Sequence, residues 1–146
     1  MYKNILIATD GSDLARHAVA HGVSLAKILG AKVTIITVTM PWSAVAYGEM
    51  AVAIPPDDYD KSVKANAQKV LAEASGQAKA SGVACQTLQV SDINPYQAIL
   101  ATARDQTCDL VVVGSHGRSG LSRLLLGSET VKVLTHAKIP VLVWRE

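Results

Sequence analysis

The chain has 146 residues, of which 49% are hydrophobic, 18% charged and 4% aromatic, with no Phe. That is enough apolar material for one domain with its own core, and it excludes a disordered chain. The net charge of +2 is too mild for a nucleic-acid partner, and a core of Val, Ile, Leu and Ala does not suit an aromatic-stacking RNA module.

Other classes are set aside as readily. Basic residues are scattered except for a modest cluster at Arg118, Arg123, Lys132 and Lys138. No apolar run approaches the roughly 20 residues that cross a bilayer, and no signal-peptide pattern follows Met1. Cys85 and Cys108 have neither CxxC nor zinc-ligand spacing. The expectation is a single domain over residues 1–146, cytoplasmic, with no membrane association.

Strand and helix patterns alternate along the chain. Residues 4–9 (NILIAT) form a short apolar run predicted as the first strand. From Ser12, Leu14, Ala18, Gly22, Leu25 and Leu29 share one helical face, with Ser12 as N-cap and Gly30 at the left-handed C′ position. Residues 32–38 (KVTIITV) read as the second strand.

Residues 39–54 fit no element. They are long for a strand-to-helix loop, and a lid, a partner surface and a mobile segment all remain open. A second helix follows Pro55 and Pro56. Asp57, Asp58 and Asp60 suit its positive end, Tyr59, Val63, Val70, Leu71, Ala74 and Ala78 form its apolar stripe, and Gly82 stops it.

Residues 84–90 (ACQTLQV) alternate more than the other strands, as expected nearer a sheet edge. Asn94 and Pro95 open a third helix that turns Ile99, Leu100 and Ala103 inward. Residues 109–113 (DLVVV) read as a buried strand. A fourth helix from Ser128 to about His136 carries Val131, Leu134 and Thr135, and residues 139–144 (IPVLVW) close the chain as a strand. A βαβαβαβαβ order predicts parallel strands joined by right-handed crossovers.

The chemistry concentrates in residues 113–130, VGSHGRSGLSRLLLGSET. Gly114, Gly117, Gly120 and Gly127 alternate with Ser115, Ser119, Ser122 and Ser128 between a buried strand and a helix. Glycines permit positive φ and a close approach of backbone N–H groups to a ligand. Such amides form an anion nest, and a helix start at Ser128 adds free N–H groups and the helix dipole. The expected occupant is a polyphosphate. No lysine lies between Gly114 and Ser128, so this is not a Walker A loop, and GxGxxG is absent.

Gly114-x2-Gly117-x9-Gly127-Ser128 resembles the G-2x-G-9x-G(S/T) pattern of ATP-binding universal stress proteins. The resemblance extends to the opening YKNILIATDGS, to VVVGSHGRSG, to LLLGS and to the closing HAKIPVLVW. It implies an open five-stranded parallel α/β sheet, Rossmann-like, of order 3-2-1-4-5 with helices on both faces. Ligands of such sheets bind where the strand order reverses, here between the loops at residues 8–10 and 114–128.

By the same resemblance, Ala8, Thr9 and Asp10 hold the adenosine end, and Val38 borders adenine. Val113, Gly114, Ser115, Gly117 and Arg118 follow the ribose and phosphate path, and Gly127, Ser128, Glu129 and Thr130 hold the phosphates. The implied cofactor is ATP, with Mg²⁺ or Mn²⁺ held through its phosphates and no all-protein metal site. Alternative roles stand beside these. Asp10 can serve only its own turn, Val38 can be a plain strand end, and Arg118 and Arg123 can be solvated loop charges. Glu129 repels phosphate by its side chain, so only its N–H is a credible donor.

The family also implies a homodimer through the C-terminal strand, Val141-Leu142-Val143-Trp144. Pairing there removes an exposed apolar edge, and a covering loop is the alternative. His17 and His21, four apart on a helix, lack a third ligand and read as structural. His116 is read as a turn residue facing water. Ser115 and His116 are set aside as a dyad because adjacent loop residues need not face each other.

The function implied is a nucleotide-dependent stress sensor or signalling dimer, at most a slow ATPase since the P-loop lysine is missing. Its protein partner is not legible. One rival is a dimeric interaction module indifferent to nucleotide. A weaker one is an ATP-dependent ligase or nucleotidyl transferase, whose SGGxDS or HIGH-type signatures are absent.

Overall fold

A computed structural model describes residues 1–46, 55–117 and 125–146. The strands are β1 (Asn4–Ala8), β2 (Lys32–Thr39), β3 (Cys85–Ser91), β4 (Leu110–Gly114) and β5 (Val141–Trp144). The helices are α1 (Asp13–Leu29), α2 (Trp42–Ala46), α3 (Pro56–Ala80), α4 (Pro95–Asp105) and α5 (Ser128–His136). All strand pairings are parallel, in the order β3-β2-β1-β4-β5. This is the expected Rossmann-like α/β sheet. Its order reverses between β1 and β4, where Ile5 pairs with Leu110 and Ile7 with Val112.

Period-2 alternation divides the apolar side chains between two layers. On one face Ile5, Ile7, Val33, Ile35 and Val112 pack beneath Val19 and Val23 of α1 and Leu71 and Ala78 of α3. On the other, Leu6, Ile36, Val111 and Val113 meet Ile99 and Ala103 of α4 and Val133 of α5. Burial of each such aliphatic side chain is worth about 1.5–3 kcal/mol. Gly22 lets α1 sit close to β1, since an added Cβ would lie 2.7 Å from Cδ1 of Ile7.

The ends of α1 follow the predicted chemistry, whereas Asn94, expected as a cap, makes no side-chain cap bond at the start of α4. Ser12 caps α1 by accepting the Ala15 N–H at 3.3 Å, and Gly30 takes φ 64° at its end. β3 is an edge strand, and it alternates between half-buried and exposed positions. Within residues 39–54, α2 is an element the sequence did not suggest, and residues 47–54 lie outside the described set. Among the described residues no helix is long and apolar enough to cross a membrane.

The residues that the sequence singled out on α5 are not the ones that face the core. Thr130 and Val133 face inward, whereas Val131 and Leu134 are 45% and 41% exposed and Thr135 is exposed as well. Two anchors rotate the helix this way. Gly127 N–H donates to the Ser115 carbonyl at 2.7 Å, and Thr130 Oγ1 donates to the Gly114 carbonyl at 2.9 Å.

Candidate functional site

A cavity of about 720 Å³ opens over the C-terminal ends of β1, β2 and β4. Its apolar end is made by Ala8, Ile36, Val38, Ile99, Val113 and Val133, and its polar end by Asp10, Gly117, Gly127, Ser128 and Glu129. Thr9, Gly114 and Thr130 complete the set of sequence-predicted positions found there. Eleven of the thirteen expected residues thus converge on one hollow at the strand-order reversal. Ser115 is not among its lining residues, and Arg118 lies outside the described residues, as do Ser119, Gly120, Ser122 and Arg123.

Each polar group has a local task that limits what remains for a ligand. Asp10 Oδ1 accepts the Ser12 N–H at 3.0 Å, closing the turn in which Gly11 takes φ 78°. Thr9 continues the sheet by donating its N–H to the Ile36 carbonyl at 2.9 Å. Ser115 is 4% exposed, its N–H donates to the Trp144 carbonyl at 2.8 Å, and its own carbonyl receives Gly127. Its backbone therefore holds β4, β5 and α5 together.

Contrary to expectation, Ser115 and His116 do face each other, with Oγ 3.1 Å from Nδ1. Nor does His116 simply face water. It is half-buried and lines the cavity.

The glycines act differently from the reading that gave them positive φ. Among the described residues, the positive-φ glycines are Gly11, Gly30 and Gly82. Gly117 and Gly127 are instead required by close approach. An added Cβ at Gly117 would lie 2.7 Å from Asp10 Oδ2, and one at Gly127 would lie 3.0 Å from the His116 Cα. The protein's own packing accounts for both.

α5 supplies the amide-rich end of the cavity. Its internal ladder starts with Val131 N–H donating to the Gly127 carbonyl at 3.0 Å. The N–H groups of Ser128, Glu129 and Thr130 therefore have no partner inside the helix, and the dipole adds positive potential at the cavity. The Glu129 carboxylate is engaged within the protein, accepting the Tyr96 N–H of α4 at 3.0 Å and a hydrogen bond from Lys132 Nζ at 2.9 Å. That bond and charge raise the Lys132 ammonium above its ordinary range.

Sequence reasoning missed Ile36, Ile99, Val133 and His116 as lining residues. Ile36 was readable, since it lies two positions from Val38 and so on the same face. Ile99 and Val133 carried only a core signal. His21 stacks on Trp144 with ring centroids 4.7 Å apart, and among the described residues no three His, Cys, Asp or Glu side chains cluster as metal ligands.

The profile described as "Universal stress protein family" matches residues 1–145. Universal stress protein YxiE of Bacillus subtilis is 32% identical over 99% of this chain and 100% of its own. The structure of universal stress protein UspA from Lactobacillus plantarum has a TM-score of 0.83 and 28% identity, covering 99% of this chain and 98% of that one. A solved universal stress protein in complex with cAMP shares 29% identity, with a TM-score of 0.70, over 99% of this chain and 97% of that one. On this evidence of fold and sequence, the chain belongs to the universal stress protein family.

Proposed function

We propose that this chain binds an adenine nucleotide, ATP by its glycine pattern, and works as a nucleotide-dependent stress sensor or signalling dimer. One observation carries the reading: a single hollow joins an aliphatic end, at Ile36 and Val38, to the start of α5, whose first-turn residues line it with amides that have no partner inside the helix. A base fits the first and phosphates the second. The cAMP held by a 29%-identical relative supports the adenine part. In this reading Asp10 holds the adenosine end, and Ser128 offers both N–H and hydroxyl to a phosphate. Arg118 belongs to the same path by its motif position.

Mg²⁺ or Mn²⁺ would ride on the phosphate oxygens, since the nearby carboxylates of Asp10 and Glu129 already serve Ser12, Tyr96 and Lys132. The cation would neutralise phosphate charge. Hydrolysis is at most slow, because no lysine stands between Gly114 and Ser128. Dimerisation runs through β5, which ends the sheet order, beside an α5 whose Val131 and Leu134 are exposed.

The packing roles of Gly117 and Gly127 favour a second reading, an interaction module indifferent to nucleotide, because they explain the glycines without a ligand. Thermal melts with ATP, ADP, AMP and cAMP separate the two. A nucleotide at a hundred times its Kd stabilises by about 2.7 kcal/mol, raising Tm by roughly 5–10 °C in a chain of this size. Val38→Phe, which fills the aliphatic end, should abolish the shift. No shift with any nucleotide would leave the interaction module.

A further inference from the structure

The Glu129 carboxylate forms the hydrogen bond that joins α4 to α5 among the described residues. Tyr96 is the second residue of α4, directly after Pro95, which itself lines the cavity. The next two N–H groups, of Gln97 and Ala98, both go to the Asn94 carbonyl, at 3.0 and 3.3 Å. Asn94 gives no side-chain cap. The first free amide of α4 is therefore capped from the neighbouring helix, by a residue in that helix's own first turn.

Further contacts converge on the same pair of helices. Lys132 Nζ binds the other Glu129 oxygen and lies 5.6 Å from the Tyr96 ring centroid. The His136 ring packs 5.1 Å from the Tyr96 ring. Glu129, Lys132 and His136 thus form one stripe of α5 seated on Tyr96.

We propose that Glu129 is a positioning residue for the phosphate end of the cavity: its carboxylate straps the first turn of α5 to the first turn of α4, which fixes the Ser128, Glu129 and Thr130 amides at the angle a phosphate needs. The proposal rests on the nucleotide reading above. The strap also answers the electrostatic objection to an acid in this turn. Lys132 and the Tyr96 amide each bind one carboxylate oxygen and offset its charge, which lowers its repulsion of a phosphate at this helix start.

Calorimetry with ATP and with adenosine, on wild type, Glu129→Ala and Glu129→Gln, tests the proposal. Glu129→Ala should bind ATP about tenfold more weakly, equivalent to one charged hydrogen bond, with adenosine unchanged. Glu129→Gln keeps an oxygen for the Tyr96 N–H and should return close to wild type. Equal ATP affinity in Glu129→Ala, tighter ATP binding, a parallel loss of adenosine, or a Glu129→Gln as weak as Glu129→Ala would each overturn it. Wild type that binds neither ligand would sink the nucleotide reading itself, which the variants do not decide. Should Glu129→Ala fail to fold, amide exchange in the ligand-free wild type still decides the strap. The Tyr96 N–H must be protected although its helix gives it no partner, and free exchange there overturns the claim.

Discussion

Thr130 Oγ1 donates a 2.9 Å hydrogen bond to the Gly114 carbonyl, so the end of the interior strand β4 and the first turn of α5 are tied by one side chain. Thr130 is 6% exposed, and its hydroxyl is spent on the protein's own backbone. What it can offer a ligand is its amide.

Thr130→Val keeps the shape and leaves the Gly114 carbonyl without this donor. The expected cost is about 1–3 kcal/mol, read as a lower denaturant midpoint, together with weaker ATP binding. Thr130→Ser should restore both. A Thr130→Val protein as stable as wild type would show that the tie contributes nothing.

Two glycine substitutions should move stability in opposite directions. Gly127→Ala presses a Cβ to 3.0 Å from the His116 Cα, a backbone atom that cannot swing aside. A loss of about 1–3 kcal/mol follows. At Gly76, exposed in the last two turns of α3, an added Cβ meets nothing within 4 Å. Gly76→Ala should therefore gain about 0.5–1 kcal/mol of helix stability. Melting curves of the two variants check the contrast.

Burial raises the Cys108 thiol above its ordinary value of 9.0, and Asp109 adds to this while Thr34 and Lys32 work against it. The folded state therefore holds this proton more tightly than the unfolded chain does. Its contribution to stability is complete below about pH 9 and is lost as pH rises through the folded value. Unfolding midpoints should fall above pH 9, and Cys108→Ala should flatten that fall. An unchanged alkaline slope in Cys108→Ala would assign the loss elsewhere.

β5 offers a test of the dimer. Val111 and Ser115 donate their N–H groups to the Pro140 and Trp144 carbonyls. Alternation along a parallel strand then points the Val143 N–H away from β4. Val143→Pro removes that outward donor and spares the β4 ladder. Sedimentation at micromolar concentration should show a dimer for wild type and a folded monomer for Val143→Pro. Identical sedimentation would mean that another surface pairs the chains.

The sheet was legible because its strands are short aliphatic runs between Gly, Asp, Asn and Pro, and because Ser12 and Gly30 mark the ends of α1 by chemistry that acts locally. The rotation of α5 was not legible. Val131 and Leu134 look like a core stripe, and only the long-range bonds to Gly114 and Ser115 turn Thr130 and Val133 inward instead. The positive φ expected of the site glycines is absent at Gly114, Gly117 and Gly127. Residues far apart in sequence, Asp10 and His116, demand the missing Cβ atoms at Gly117 and Gly127. The role of Glu129 was hidden likewise, since its partner Tyr96 sits 33 positions away.

Amide chemical-shift mapping on addition of ATP and Mg²⁺ examines the central claim most directly. Large, saturable shifts are expected at Ser128, Glu129, Thr130 and Val38, with little change along β3 or at the C-terminal end of α1. A spectrum left unmoved by millimolar ATP, or shifts confined to other surfaces, would contradict it.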